Sequence, residues 1–217
     1  MKSNYTILAL DTSFQNCSIA LLHKNILYHF EELCIKNHEK RILKIIIKII
    51  KYSKINFQEI NFIACNTGPG HFTGIRISLT IANALSIGLK IPILNFSIFQ
   101  ILSEKIWYKY SIRKTLIKLK ISKNYFFVGK YFKNIQNKWI GVYEKYQSVS
   151  VKNFYFINTT FSGIWAISGN IKITQIKNKK KLKFFYTKIS QIYAKDIIFY
   201  MLLKFKKYIK FKNIKKF

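Results

Sequence analysis

The sequence predicts an α/β protein whose sheet contains strands in both directions, and two observations support this fold class. Short apolar segments, typical of buried strands, are separated by longer segments with the apolar periodicity of helices. The first three strand-like segments follow one another without a helix between them, which indicates an antiparallel meander. A doubly wound sheet would instead alternate strands and helices from the start.

Local patterns predict each element of the N-terminal half. Apolar residues fill the first strand, and Asp11, Thr12 and Ser13 end it. Asn37 is a suitable N-cap for the first helix, and a loop rich in glycine separates the fourth strand from the second helix. In chain order, the predicted elements are strands over 5–10, 17–22 and 26–33, a helix over 38–52, a strand over 60–65, a helix over 73–89, a strand over 91–94 and a helix from about residue 97.

The remainder of the chain has a different organisation. Strand-like runs occur at 115–121 and 125–128, and residues 189–205 have helical periodicity before a basic tail. No linker rich in proline or serine marks the transition. We therefore expect an N-terminal lobe over 1–105 and a smaller second lobe over 106–217.

The charge of the chain is extreme but does not identify a function. The 217 residues include 38 lysines and arginines against eight acidic residues, a formal net charge of +30. Such an excess ordinarily suggests a nucleic acid or an anionic membrane as partner. Only three of the basic residues are arginines, the residue type that supplies bidentate phosphate and base contacts. Abundant Lys, Ile, Asn, Phe and Tyr instead indicate mutational drift in an AT-rich genome.

Several classes of protein are excluded at this stage. Half of the residues are hydrophobic, so the chain can bury a core. No run of about 20 apolar residues predicts a spanning helix, and Asp11 interrupts the first apolar segment before it reaches signal-peptide length. Cys17, Cys34 and Cys65 are odd in number and far apart, which argues against a disulfide framework or a cysteine zinc site. We expect a cytoplasmic protein that needs no metal, cofactor or membrane.

The loop at residues 67–76 is the first candidate for chemistry. A glycine-rich turn between a strand and a helix can bind phosphate through free amide groups, and Asp11 could hold a metal–phosphate group beside it. The spacing matches neither a P-loop nor a dinucleotide fingerprint, and Pro69 removes one amide donor. The competing interpretation is a rigid turn that fixes the helix entry, with Asp11 capping a turn.

The two helices that flank this loop indicate a protein partner. The helix over 38–52 is apolar around far more than the stripe of ~100° that a surface helix needs. The helix over 73–89 carries a stripe of small residues, Gly74, Ser78, Ala82 and Ser86, that would allow another helix to approach closely. The residues expected to contact a partner are Leu43, Ile46, Ile47, Ile50, Gly74, Ser78 and Ala82.

Three segments together carry a family resemblance. Residues 7–13 with 17–21 resemble a first hairpin of the bacterial tRNA threonylcarbamoyladenosine biosynthesis protein TsaB (YeaZ) family, and residues 38–43 resemble the opening of its first helix. The run Gly-Pro-Gly-His-Phe-Thr-Gly-Ile-Arg at 68–76 is similar to the family signature G-P-G-S-F-T-G-[VIL]-R, with His71 in place of serine. The matching loop residues are Gly68, Pro69, Gly70, Phe72, Thr73, Gly74 and Arg76.

The resemblance implies a two-lobed fold of the actin/Hsp70/sugar-kinase type with mixed sheets flanked by helices and a divergent second lobe. It further implies a non-catalytic subunit that binds the paralogous transferase TsaD, with TsaE joining through the complex and tRNA as its substrate. The complex transfers a threonylcarbamoyl group from threonylcarbamoyl-AMP to N6 of the adenosine beside the anticodon. TsaD carries a metal-binding H-x-x-x-H motif, and the corresponding residues here, 95–101, contain no histidine. The apolar helix pair is also compatible with a homodimer of the isolated chain, and the sequence leaves monomer and homodimer open.

Two further functions stay open from the sequence. The first is a nucleotide-dependent enzyme of the same fold, which would use Asp11 and the loop 68–74. The second is an RNA-binding module, in which the lysines of 177–183 and the aromatic–lysine tail 204–217 would contact phosphates and bases. A solvated basic tail is the commoner explanation of such a run.

Overall fold

The computed structural model describes residues 5–34, 37–147, 162–171, 182–204 and 213–216. The chain forms two compact units. The first contains Met1–Ile98 together with Ile192–Phe217, and the second contains Phe99–Gln191.

A six-stranded mixed sheet forms the centre of the first unit, in the order β11-β3-β2-β1-β4-β5. Strands β1, β2 and β3 make the expected antiparallel meander, whereas β4 pairs in parallel with β1 and β5 pairs in parallel with β4. The strands are β1 (Ile7–Asp11), β2 (Asn16–His23), β3 (Ile26–Leu33), β4 (Phe62–Asn66), β5 (Ile93–Phe96) and β11 (Asn213–Lys216).

Helices cover both faces of this sheet. On one face, α1 (His38–Ser53) and α2 (Phe72–Leu89) pack over the strands, and a 3-10 helix (Phe57–Glu59) follows α1. On the other face lies α4 (Ala194–Lys204), whose first amide donates to Ser18 Oγ at 2.8 Å. This arrangement buries every residue of β1.

The second unit is built around a five-stranded mixed sheet in the order β10-β9-β6-β7-β8. In its core, Lys133 Nζ donates to both carboxylate oxygens of Glu104 at 2.7 and 2.8 Å, and Trp139 Nε1 donates to the same carboxylate. A buried charge pair needs such saturated hydrogen bonding. Its elements are α3 (Ile98–Tyr110), β6 (Lys114–Lys120), β7 (Tyr125–Lys133), β8 (Trp139–Gln147), β9 (Gly163–Gly169) and β10 (Leu182–Tyr186).

The structure confirms an α/β fold with two mixed sheets flanked by helices, but the expected division at residue 105 falls inside α3. The last helix, expected in the second lobe, belongs to the first unit because its residues pack on the first sheet. Tyr200, for example, packs edge-on against Phe96 of β5. Most of the basic segments proposed to contact RNA, 177–181, 205–212 and 217, lie outside the described residues.

Candidate functional site

The loop between β4 and α2 uses its backbone amides internally. The Gly68 amide donates to Asn66 Oδ1 at 2.8 Å, and the His71 amide donates to the Ser13 carbonyl at 2.7 Å. The Thr67 amide donates to the carbonyl of Phe96, and Pro69 has no amide proton to donate. A phosphate cradle needs free amides that point at the ligand. Three amides of the loop are thus engaged within the protein and Pro69 supplies none, which leaves the nucleotide-binding hypothesis fewer donors than a phosphate cradle offers.

The glycines of this loop allow it to lie directly against the β1–β2 turn. A Cβ on Gly70 would lie 2.8 Å from the Ser13 backbone and side chain, and a Cβ on Gly74 would lie 2.0 Å from the Thr12 carbonyl oxygen. Thr12 Oγ1 also donates to the Gly74 carbonyl at 2.6 Å. Gly68 adopts a φ of 102°, which L side chains rarely adopt. These contacts favour the rigid turn among the two interpretations of the loop.

Three residues of the same motif face outward at the start of α2. Phe72, Thr73 and Arg76 are exposed, and the Arg76 guanidinium stacks over the Phe72 ring at 3.7 Å. Such stacking holds a planar cation and an aromatic ring together at the surface. His71, at the N-terminal end of the helix, packs edge-on against Phe14. The motif thus combines a packed loop with an exposed helix entry.

Asp11 lies behind the loop and is buried. Its Oδ1 accepts from Asn66 Nδ2 at 3.3 Å and from the Ser13 amide at 3.4 Å. Burial raises the pKa of Asp11 to about 6, because desolvation disfavours the charged carboxylate more than these hydrogen bonds favour it. Asp11 positions Asn66, which in turn holds the Gly68 amide, so the carboxyl group supports the loop.

The raised pKa of Asp11 predicts a pH-dependent stability that Asp11→Asn should remove. The folded protein binds the proton more tightly than the unfolded chain, so stability falls as pH rises from about 4 to about 6. From a shift of this size we expect the free energy of unfolding of the wild type to fall by about 2–3 kcal/mol relative to the variant over that range. Denaturant unfolding at pH 4 and pH 7 measures this. If wild type and Asp11→Asn differed in free energy of unfolding by the same amount at pH 4 and pH 7, the raised pKa of Asp11 would be contradicted.

The small residues of α2 point inward, contrary to expectation. Gly74, Ser78 and Ala82 are buried beneath the helix and pack towards the sheet, because their small size lets α2 approach the strands closely. They are therefore unavailable to a partner in this conformation. Ile46 and Ile50 of α1, also expected at the interface, are likewise buried in the core of this unit.

The exposed apolar residues of α1 lie on its side nearest α2. Arg41 and Lys48 contact side chains of β3 and mark the opposite side of the helix. Leu43 and Ile47 lie about half a turn around from them, given 3.6 residues per turn, and are 48% and 50% exposed. Two of the four residues that the sequence predicted at the interface on this helix are thus accessible.

The neighbouring side of α2 is also apolar. Ser86 donates to the carbonyl of Ile91, just before β5, and this contact marks the β5 side of the helix. The opposite side, towards α1, carries two half-buried isoleucines and two exposed small residues. Together with the exposed residues of α1 it forms one surface, which we name the apolar face. It consists of Leu43, Ile47, Ile77, Ile81, Ala84 and Gly88.

From the sequence, the side of this helix nearer the sheet is expected to carry Ile77, Ile81, Ala84, Leu85 and Gly88. Ile77, Ile81 and Leu85 do pack against the core of this unit, whereas Ala84 and Gly88 are exposed. By length and composition alone, α2 could cross a membrane, and only three of its 18 residues are buried. It is, however, the crossover between the parallel strands β4 and β5 and packs along one face of their sheet. The packing of Ile77, Ile81 and Leu85 against the core of this unit identifies α2 as a helix of the fold rather than a span.

Known proteins show similarity to this chain over most of its length. Two proteins from Buchnera aphidicola, both named tRNA threonylcarbamoyladenosine biosynthesis protein TsaB, are 37% and 32% identical to it over 193 and 204 residues. The alignments cover 88% and 92% of this chain and 90% of each relative. A family model described as TsaD, tRNA N6-adenosine threonylcarbamoyltransferase, matches residues 30–118.

The fold is shared with a solved structure. YeaZ from Pseudomonas aeruginosa superposes with a TM-score of 0.72 over 93% of this chain and 92% of that one, at 20% identity. This likeness concerns the fold, whereas the sequence matches carry the family assignment. On the strength of the full-length relatives, the chain belongs to the TsaB family of tRNA threonylcarbamoyladenosine biosynthesis proteins.

Proposed function

We propose that this protein is a non-catalytic subunit that supports threonylcarbamoyl transfer to tRNA by binding the TsaD transferase through the apolar face. TsaB relatives are named for the biosynthesis of threonylcarbamoyladenosine, which supports the pathway. The observation that carries the binding role is the apolar face itself. Leu43 and Ile47 of α1 are about half exposed, and the face continues on α2 through half-buried isoleucines to exposed Ala84 and Gly88. Exposed apolar patches of this kind mark interaction surfaces.

The match to the TsaD family model supports a helix-to-helix interface. Its matched range, residues 30–118, includes both α1 and α2. Two related chains that share a surface can pair those surfaces about an approximate twofold axis, so that equivalent helices face one another. The same geometry would allow two copies of this chain to associate when TsaD is absent. We therefore expect a homodimer of the isolated protein to compete with the complex.

The chemistry of the loop region supports a non-catalytic role. The amides of Gly68 and His71 are hydrogen-bonded within the protein, which leaves the loop fewer donors for a nucleotide phosphate. Residues 95–101, where TsaD carries its metal-binding histidines, contain none. Asn95 instead accepts a hydrogen bond from Cys65 Sγ at 3.1 Å. TsaE would join through the complex, which would act on tRNA in the cytoplasm.

Co-expression with the cognate TsaD tests this proposal. We expect the two proteins to elute together from a size-exclusion column as a 1:1 assembly, because each would cover the apolar surface of the other. The isolated chain, run at the same concentration, controls for self-association. Separate elution of the two folded proteins would contradict the proposal.

A further inference from the structure

Two cysteines that are 17 positions apart in the sequence meet in the first unit. Cys17 lies on β2 opposite Glu32 of β3, and the amide of Cys34 donates to the carbonyl of Gln15. Cys17 and Cys34 are therefore diagonal neighbours on one face of the sheet, close enough for their side chains to interact. Both are buried and neither forms a disulfide.

The first residue of α1 completes this cluster. His38 follows Cys34 by four positions, and its carbonyl accepts a weak hydrogen bond from Cys17 Sγ at 4.0 Å. The two sulfur atoms and a ring nitrogen of His38 all lie within 4.8 Å of one another. The strand β2, the residue that follows β3 and the start of α1 thus each contribute one potential metal ligand.

The donor atoms suit a thiophilic divalent ion. Two thiolates and an imidazole are soft and borderline ligands, which select Zn²⁺ over Mg²⁺ or Ca²⁺. With Zn–S bonds of about 2.3 Å and Zn–N bonds of about 2.0 Å, tetrahedral coordination places ligand atoms about 3.5–3.8 Å apart. The cluster needs only a small contraction of its side chains to reach that spacing. Two thiolates would also neutralise the charge of the ion, so binding adds no net charge to the interior.

An independent observation points to a ligand at this position. His38 Nε2 is buried, and within the described residues it has no hydrogen-bond partner. A buried polar nitrogen without a partner costs about 1–3 kcal/mol, and such groups are uncommon in folded proteins. Coordination of an ion by Nε2 would remove this penalty.

We propose that Cys17, Cys34 and His38 form a zinc-binding site that holds the start of α1 against the β2–β3 hairpin. Three protein ligands leave the fourth tetrahedral position to water or an exogenous ligand. The half-buried side chain of His38 provides the approach from solvent. Because α1 carries Leu43 and Ile47, the ion would fix one half of the apolar face, whether or not TsaD is the partner.

Metal titration of the untagged, full-length protein under reducing conditions tests this proposal. Co²⁺ serves as a spectroscopic probe, because thiolate ligands produce intense charge-transfer absorption, and Zn²⁺ is then added in competition. The variants are Cys34→Ser and His38→Asn, with Cys65→Ser as the matched control because Cys65 is buried outside the cluster. The His38→Asn variant tests the site with less risk to the fold than a cysteine variant, because the His38 side chain is only half-buried whereas Cys34 is buried. Circular dichroism confirms the fold of each variant.

The expected result is one zinc ion per wild-type chain, with thiolate absorption in the cobalt form and a raised Tm on zinc addition. Cys65→Ser should bind equally well. Loss of a direct ligand should weaken binding at least about 100-fold, since even outer partners of metal ligands contribute 10–100-fold. Equal affinity in the wild type, Cys34→Ser and His38→Asn would overturn the proposal. So would a Cys17–Cys34 disulfide that forms without any metal binding by the reduced chain.

Discussion

Replacing Gly74 with alanine is expected to destabilise the first unit by about 3 kcal/mol or more, the upper range for added volume in a packed site. The new methyl group would lie 2.0 Å from the Thr12 carbonyl oxygen, which is backbone and cannot rotate away. Relief requires α2 to separate from the β1–β2 turn, which also breaks the hydrogen bond from Thr12 to the Gly74 carbonyl. Denaturant unfolding followed by circular dichroism measures the effect.

Gly88→Ala on the same helix is the matched control. No atom lies within 4 Å of a Cβ at that position, and alanine favours a helix by roughly 0.8–1 kcal/mol over glycine. We therefore expect this variant to be as stable as the wild type or more stable. If both substitutions changed the free energy of unfolding equally, the close contact between α2 and Thr12 would not explain why the loop motif has glycine at position 74.

Much of the fold could be predicted from local patterns alone. The third strand, expected over 26–33, matches β3, and α1 and α2 each begin and end within one residue of expectation. The β4 strand begins two residues later than predicted, and just before it the Thr6 amide donates to the side chain of Asn61 instead of to a backbone carbonyl. Periodicity identifies elements well because it records burial on one side of each.

The orientation of the small-residue stripe could not be predicted in the same way. A repeat of small side chains every four positions permits close packing, but it does not say whether a partner helix or the protein's own sheet approaches. Gly74 contacts Thr12, 62 positions earlier, and this contact depends on tertiary packing. Leu43 and Ile47 were correctly expected to be accessible because α1 has more apolar surface than its sheet can cover.

The proximity of Cys17 and Cys34 could have been predicted from the register of the β2–β3 hairpin. Lys24 and Asn25 both adopt positive φ angles, as a two-residue hairpin turn requires. That turn pairs His23 with Ile26, and the register then places Cys17 opposite Glu32, two residues from Cys34. Counting outward from the turn would have brought the two cysteines together. Their separation in the sequence concealed this.

Introducing a charge into the apolar face is expected to abolish TsaD binding. Ala84 is exposed on the side of α2 that faces α1, so Ala84→Glu leaves the monomer folded. In the complex the carboxylate would be buried without a partner, which costs several kcal/mol. We expect the affinity for TsaD to fall at least about 100-fold, since each 1.4 kcal/mol is a factor of ten. Asn83→Glu adds the same charge to the next exposed position, outside the face.

The most direct measurement of the central claim is calorimetric titration of TsaD with three chains, the wild type, Ala84→Glu and Asn83→Glu, each with its helical content verified. Binding through the apolar face predicts that the wild type and Asn83→Glu have the same Kd, and that Ala84→Glu binds at least about 100-fold more weakly. Equal Kd values for all three chains, or no binding by the wild type, would contradict the claim that this face docks the transferase.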